Sequence, residues 1–248
     1  MFLTKDVYKR MDASNAAPFY LWDQEKNQPA SYLGYYGIRP EQLPEIAVPG
    51  TRAGILKKAY QQGNLTDRTA VAAGSFDHPS GARAVGVLEP GSMLLSCGTS
   101  WVGFYPVPHR DDIIKKGELC DTFLAPDGGC WGAMFSVEGI GVEIEDFILG
   151  RFGDAPDRYL AFNQEARQPD SPSRRKMREV VARFKERLDQ HPPFRKVVVS
   201  GGPSEGATWP AVIEEVLRLP VELSPYRSHT GAVGAAMLAQ AKSLKPKA

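Results

Sequence analysis

Three short stretches of this chain hold residues that could do chemistry on a phosphorylated ligand. Residues 94–101 read LLSCGTSW, and residues 197–209 read VVVSGGPSEGATW. Each is an apolar run that stops in a small, polar, glycine-containing turn. Glycine lets backbone come close to a ligand, and main-chain N–H groups then hold phosphate oxygens. In the first turn Gly98, Thr99 and Ser100 offer amides and two hydroxyls. In the second, Gly201 and Gly202 end a strand, and Pro203, Ser204, Glu205 and Gly206 lead towards a helix N-terminus, whose dipole favours an anion. Two such turns suggest a nucleotide held between two loops. Each also has a plainer use, a tight hairpin turn and an ordinary strand-to-helix loop. Neither contains the GK[ST] of a Walker A loop.

The third stretch is AAGSFDHPSGA, with Asp77 at its centre. A carboxylate just after an apolar strand, beside small residues, can approach a substrate hydroxyl as a general base. In phosphoryl transfer such an aspartate orients the attacking hydroxyl and accepts its proton. The alternative is an aspartate capping a turn before Pro79. His78 and His229 fit surface or supporting roles, since no nucleophile pattern accompanies them. His109 and His191 lie in proline-containing loops without metal-ligand spacing, so no metal ligands are expected.

Composition narrows the class. With 248 residues, 42% hydrophobic and 24% charged, the chain reads as a soluble globular protein with a sizeable core. A net charge of +1 gives no global field for nucleic acid or a membrane surface. Arg174, Arg175, Lys176 and Arg178 share their stretch with Glu179 and Glu186, the pattern of a solvated helix face. Cys97, Cys120 and Cys130 are odd in number and lack CxxC spacing, so neither a disulfide framework nor a zinc site is expected, and a reducing cytoplasm is the simplest home. Residues 1–16 lack the apolar core of a signal peptide, and no apolar run has the ~20 residues of a membrane span.

The elements that must position these residues follow an α/β order. Residues 1–49 are aromatic, proline-rich and irregular, and 51–65 predict a short helix through Ile55, Leu56 and Tyr60. A short buried strand is expected over 69–73. Strands over 92–97 and 102–105 flank the Gly98–Ser100 turn as a hairpin, and 123–133 predict another strand and turn. Residues 137–149 predict a helix, and the polar stretch 154–173 reads as a linker or surface loop. Residues 173–190 form an amphipathic helix by the spacing of Met177, Val180, Val181, Phe184 and Leu188. Then come a strand over 196–200, a helix over 208–219 with Thr208 as N-cap, a short strand over 220–223, and a helix over 230–241. In the last, Gly231 and Gly234 allow close packing.

Four segments in order carry a resemblance. They are DASNA at 12–16, GSFDHPSGARAVGVLEPGSMLLSCGTS at 74–100, SGGPSEGATW at 200–209 and GAVGAAMLA at 231–239. Their sequence and intervals are similar to those of FGGY-family carbohydrate kinases, over the beginning, middle and end of the chain. The resemblance implies a two-domain, actin-like and ribonuclease-H-like ATPase fold in which ATP, with Mg²⁺, phosphorylates a sugar or polyol hydroxyl. It matches Asp77 to the family's catalytic base, with His78 beside it on the substrate side. Gly98, Thr99 and Ser100 match a phosphate-binding loop, and Gly201, Gly202 and Ser204 the adenosine-side loop. Asp12 and Asn15 match a structural segment near the sugar pocket. On this reading 1–90 is a remnant of the N-terminal kinase domain and 91–248 the C-terminal, nucleotide-side domain, shortened around 155–195.

The sequence departs from the family in definite places. The opening β-hairpin, with its acidic residue and Gly-Thr turn, is not found, so the kinase reads as incomplete. His78 stands where the family has glutamine, and Pro203 where glycine or alanine is common. Losing one wall of a cleft would remove positioning and electrostatic stabilisation, and would expose apolar surface. The expected consequences are a separate N-terminal partner chain, self-association into a homo-oligomer, or loss of activity. The second functional expectation is therefore a non-catalytic nucleotide-binding or interaction module. A hydrolase reading has no GxSxG elbow to support it.

Overall fold

The computed structural model describes residues 10–18 and 20–243. Residues 1–9, most of the stretch read as lacking a signal-peptide core, lie outside the described residues. In chain order the elements are β1 (Arg10–Asp12), α1 (Ala13–Ala16), β2 (Trp22–Asp23), β3 (Gln28–Pro29), β4 (Glu45–Ala47), β5 (Arg52–Ile55), β6 (Ala70–Ala72) and α2 (Asp77–Ala84). They continue with β7 (Ser92–Cys97), β8 (Trp101–Val107), α3 (Arg110–Ile114), β9 (Leu119–Asp121) and β10 (Trp131–Val137). Helices α4 (Ile140–Phe152), α5 (Arg158–Glu165) and α6 (Pro172–Leu188) precede β11 (Lys196–Gly201), α7 (Thr208–Leu217), β12 (Val221–Leu223) and α8 (Thr230–Ser243). These group into two compact units. The first is Met1–Ala84, Val107–Ala133 and Gly231–Ala248, and the second is Val85–Pro106 and Met134–Thr230.

The second unit is a mixed sheet with helical cover. Strands β12, β11, β7, β8 and β10 neighbour one another in that order. β11 runs parallel to both β12 and β7, and β7 is antiparallel to β8. Met93, Leu94 and Leu95 of β7 and Val197, Val198 and Val199 of β11 are buried. Successive strand side chains face opposite ways, so such unbroken runs need cover on both faces. The apolar stripe of α6 is buried in full, as its spacing predicts: Met177, Val180, Val181, Phe184 and Leu188. Phe184 packs on Trp101 of β8 and stacks on Phe135 of β10. Ser171 caps the helix, its Oγ accepting from the Arg174 amide at 3.1 Å, with Pro172 in the first turn.

The first unit is built from short ladders. β1 is parallel to β4, while β2 with β3 and β5 with β6 are antiparallel. Helix α8 crosses α2 at a glycine: a Cβ on Gly234 would fall 1.7 Å from the Ser80 carbonyl oxygen. Only glycine lets these two backbones approach so closely. Gly231 lies over Asp77 in the same way, with 3.3 Å from the position of its Cβ to the Asp77 carbonyl oxygen.

Four expectations are corrected. Residues 51–65 hold strand β5 and a 3-10 turn at Lys58–Tyr60 instead of a helix. Backbone pairing decides this: the Ala73 amide donates to the Thr51 carbonyl at 2.7 Å and the Leu56 amide to Thr69 at 2.9 Å. The strand before Asp77 is not buried, since Ala70 is exposed and Val71 and Ala72 are half-buried. Residues 154–173 are no linker; they contain α5, whose Phe162 is buried against Phe147, Phe152 and Trp209. One buried aromatic, with Arg151–Glu165 and Arg158–Glu145 ion pairs, holds a helix that its polar composition concealed. Finally, Ala207 occupies the N-cap of α7, and Thr208 is its first helical residue, its hydroxyl donating to the Asn163 carbonyl at 3.3 Å.

Candidate functional site

The pairing register brings the two glycine turns together. β7 and β11 are parallel, with Ser96 opposite Ser200 and Cys97 opposite Gly201. Parallel strands in register end at the same edge, so the turns after Cys97 and Gly201 emerge side by side. Gly201 has φ of 87°, and a Cβ there would fall 2.2 Å from the Cys97 carbonyl oxygen. Only glycine serves both the left-handed turn and the close approach.

A cavity of about 460 Å³ opens at this edge, within the range of small-ligand sites. Gly98, Thr99, Gly202, Pro203, Glu205 and Gly206 of the two turns line it. Ile144 and Ile148 of α4, Tyr159 and Phe162 of α5, and Trp101 and Trp209 supply its apolar walls. Trp209 meets Trp101 edge-to-face at 5.6 Å between ring centres and lies 6.1 Å from Phe162. Among the described residues no Lys or Arg lines the cavity, so an anion there would rely on backbone amides and helix ends. The N-terminus of α4 meets the first turn directly. The Gly141 amide donates to the Thr99 carbonyl at 2.8 Å, and a Cβ on Gly141 would fall 2.4 Å from the Gly98 oxygen.

The residues singled out in the turns take different places. Gly98 and Thr99 are exposed and line the cavity, as does Gly202. The Gly98 amide donates to the Ser100 carbonyl at 3.2 Å, which closes the hairpin turn. Ser100, Gly201 and Ser204 are not part of the lining. Ser204 is buried, its hydroxyl donating to the Gly201 carbonyl at 2.6 Å; it braces the turn. Gly141, Tyr159 and Asn163 line the cavity without having been read as site residues. Gly141 sits inside an apolar helix pattern, where only its odd glycine was a signal. Tyr159 and Asn163 lie on the helix that polar composition concealed.

The acids of the cavity wall are engaged. Glu145 accepts from the Tyr159 hydroxyl and from Arg158 at 3.2 Å, and these hydrogen bonds, Tyr159 first, hold its carboxyl below the usual range. Glu205 lies 3.5 Å from Arg227, which also donates to the Ser204 carbonyl at 3.0 Å. Burial pushes the Cys97 thiol well up, so it is no nucleophile here. Among the described residues no group of three His, Cys, Asp or Glu could hold a metal. Mg²⁺ is commonly held through substrate phosphates and one or two carboxylates. A Mg²⁺ ion here would therefore depend on phosphate oxygens for most of its ligands.

Asp77 belongs to the first unit, where it opens α2. Its side chain is exposed, and its Oδ1 accepts from the His78 amide at 2.9 Å. The His78 ring, mostly buried, lies edge-on to Phe76 with Nε2 3.6 Å from Asp77 Oδ1. Desolvation lowers the His78 pKa against the pull of Asp77, which favours the neutral ring at pH 7. Asp12 accepts from the Asn15 amide at 3.0 Å and from its side chain at 2.6 Å, and the Ser14 hydroxyl accepts from the Phe76 amide at 2.9 Å. DASNA thus anchors the residue next to Asp77.

Neither a family model nor a curated protein matches the sequence. Solved structures do match. A ligand-bound xylulose kinase from Lactobacillus acidophilus superposes with a TM-score of 0.76 at 15% identity, over 99% of this chain and 58% of that one. A glycerol kinase from Plasmodium falciparum, solved with ADP, gives 0.75 at 13% identity, over 96% and 56%. A gluconate kinase from Lactobacillus acidophilus gives 0.72 at 17%, over 99% and 57%. The chain thus spans under 60% of the length of these relatives. Its fold is the α/β, actin-like ATPase fold of the carbohydrate kinases whose motifs it resembles. No helix among the described residues is long and apolar enough to cross a membrane.

Proposed function

We propose that this chain is the nucleotide-binding and base-bearing part of a carbohydrate kinase. ATP, as its magnesium complex, occupies the cavity of the second unit. Its γ-phosphoryl group passes to a hydroxyl of a sugar or polyol, and Asp77 takes the hydroxyl proton. The observation that supports this best is the β7–β11 register, which sets two glycine turns on one apolar cavity. Phosphates lie against the amides of these turns and the N-terminus of α4, whose dipole favours negative charge. The aromatic and aliphatic walls take the nucleoside. His78, kept neutral, is a polar neighbour of the base and adds no charge at pH 7 to oppose it.

Two tryptophans in the cavity wall make occupancy measurable. ADP is expected to quench the fluorescence of Trp101 and Trp209 in a saturable way. ATP turnover is then measured against a panel of ketoses, aldonates and polyols. Asp77→Asn should lower acceptor-dependent turnover by roughly 10²–10⁴-fold and leave the ADP quench unchanged. Turnover retained in that variant removes Asp77 from the mechanism. Nucleotide binding without turnover on any acceptor selects the non-catalytic nucleotide-binding or interaction module instead.

A further inference from the structure

We infer that Tyr159 is the platform on which a nucleobase stacks in this cavity. The inference rests on the nucleotide reading above and deepens it by naming the side chain that holds the base. Trp101, Phe162 and Trp209 are buried and engage one another, so their rings are committed to the core. Tyr159 lines the same cavity but is 49% exposed. It is also held in place. Its hydroxyl donates to Glu145, and the Arg158 guanidinium carbon lies over its ring, 5.0 Å from the centre. Arg158 is itself fixed by Glu145 and Asp154, each at 3.2 Å. No other aromatic ring lies against Tyr159 among the described residues.

The result is an aromatic ring with a tethered hydroxyl, a cation over the ring and a share of solvent, beside an apolar cavity. A half-solvated ring already held in position loses little side-chain freedom when a flat ligand covers it. Every base offers a π-face, and stacking on an aromatic side chain contributes enough for truncation to alanine to cost roughly tenfold or more in affinity. The backbone turns offer hydrogen bonds that suit phosphates, and Tyr159 supplies a π-face for the base.

The test is a series at one position in the full chain, read by ADP quenching of the cavity tryptophans. Tyr159→Phe keeps the ring and loses the bond to Glu145; its ADP affinity should stay within about twofold of wild type. Tyr159→Leu keeps bulk and helix propensity without a π-face, and should weaken ADP roughly tenfold, as should Tyr159→Ala. A Leu variant that binds ADP like wild type overturns the platform. So does a Phe variant that loses as much as Leu, because the hydroxyl would then be the active group. A wild-type chain that shows no ADP binding overturns the nucleotide reading and the platform with it. ADP binding indifferent to position 159 overturns the platform alone.

Discussion

The two units bury different kinds of groups. In the second, the buried polar side chains are hydroxyls: Ser92, Ser171, Ser173, Ser200, Ser204, Thr208, Ser224 and Thr230. In the first, three carboxyl groups are buried, Asp12, Glu118 and Asp121. Asp121 is fully buried, its Oδ2 has no hydrogen-bond partner among the described residues, and burial pushes its pKa up to about 6. Burial raises Asp12 too, and lowers the neighbouring Arg83, which donates to the Phe123 carbonyl at 2.8 Å. A unit whose core is apolar with satisfied hydroxyls should keep its stability across mild pH. A unit with buried acids should not. The frame of the cavity is therefore expected to respond less to pH between about 4 and 7 than the unit that carries Asp77.

The sharpest way to break this contrast is at Gly201. Gly201→Ala forces a Cβ into the Cys97 carbonyl at positive φ, and should destabilise the second unit by about 4 kcal/mol. ADP quenching should vanish, while hydrogen exchange of first-unit peptides stays as in wild type. A normal melt and normal quench would show that the turn tolerates a side chain. Next is Phe162→Ala, expected to cost the second unit about 3 kcal/mol through the void left among Phe147, Phe152 and Trp209. Denaturant unfolding with tryptophan fluorescence measures it, and a loss below about 1 kcal/mol would mean α5 is only loosely attached.

The first unit is tested by pH. Asp121 has a folded pKa near 6 against an ordinary 3.8, so the folded state holds its proton more tightly. Its contribution is present below about pH 4 and is lost as pH rises through 6. Wild-type stability of this unit should fall by roughly 2–3 kcal/mol over that window, with Asp12 acting in the same direction. Asp121→Asn removes the Asp121 share, so exchange rates in 107–133 should become less pH-dependent. An unchanged slope would shift the effect to other groups. The smallest effect is expected at Arg227→Gln. Its contact with Glu205 is exposed, so stability should change by no more than about 0.5 kcal/mol. A larger loss, seen in the melting temperature, would mean that the bond to the Ser204 carbonyl shapes the turn.

Legibility in the sequence followed the same division. The β7 and β11 strands, the hairpin at Gly98–Ser100 and the α6 stripe were readable because uninterrupted apolar runs and 3.6-residue periodicity persist when burial is nearly complete. The glycine turns stood out as small polar residues next to such runs, whereas Asp77 was read from a short apolar stretch that the structure leaves unburied. Helix α5 was hidden because one buried aromatic, Phe162, carries no periodicity, and the pairing of its Arg158 and Glu165 with α4 is by charge. The β5 strand was hidden because short ladders take their geometry from a partner, here β6, and not from local spacing.

By itself, the sequence determined the α/β order, the two glycine turns and the helix stripes, since local backbone preference and hydrophobic periodicity are properties of neighbouring residues. Only the tertiary structure decided that the turns share one cavity, that Ser204 braces and does not line it, and that Gly141 and Tyr159 belong to it. Those facts depend on strand register and on helices packing from distant parts of the chain, and nothing local encodes either.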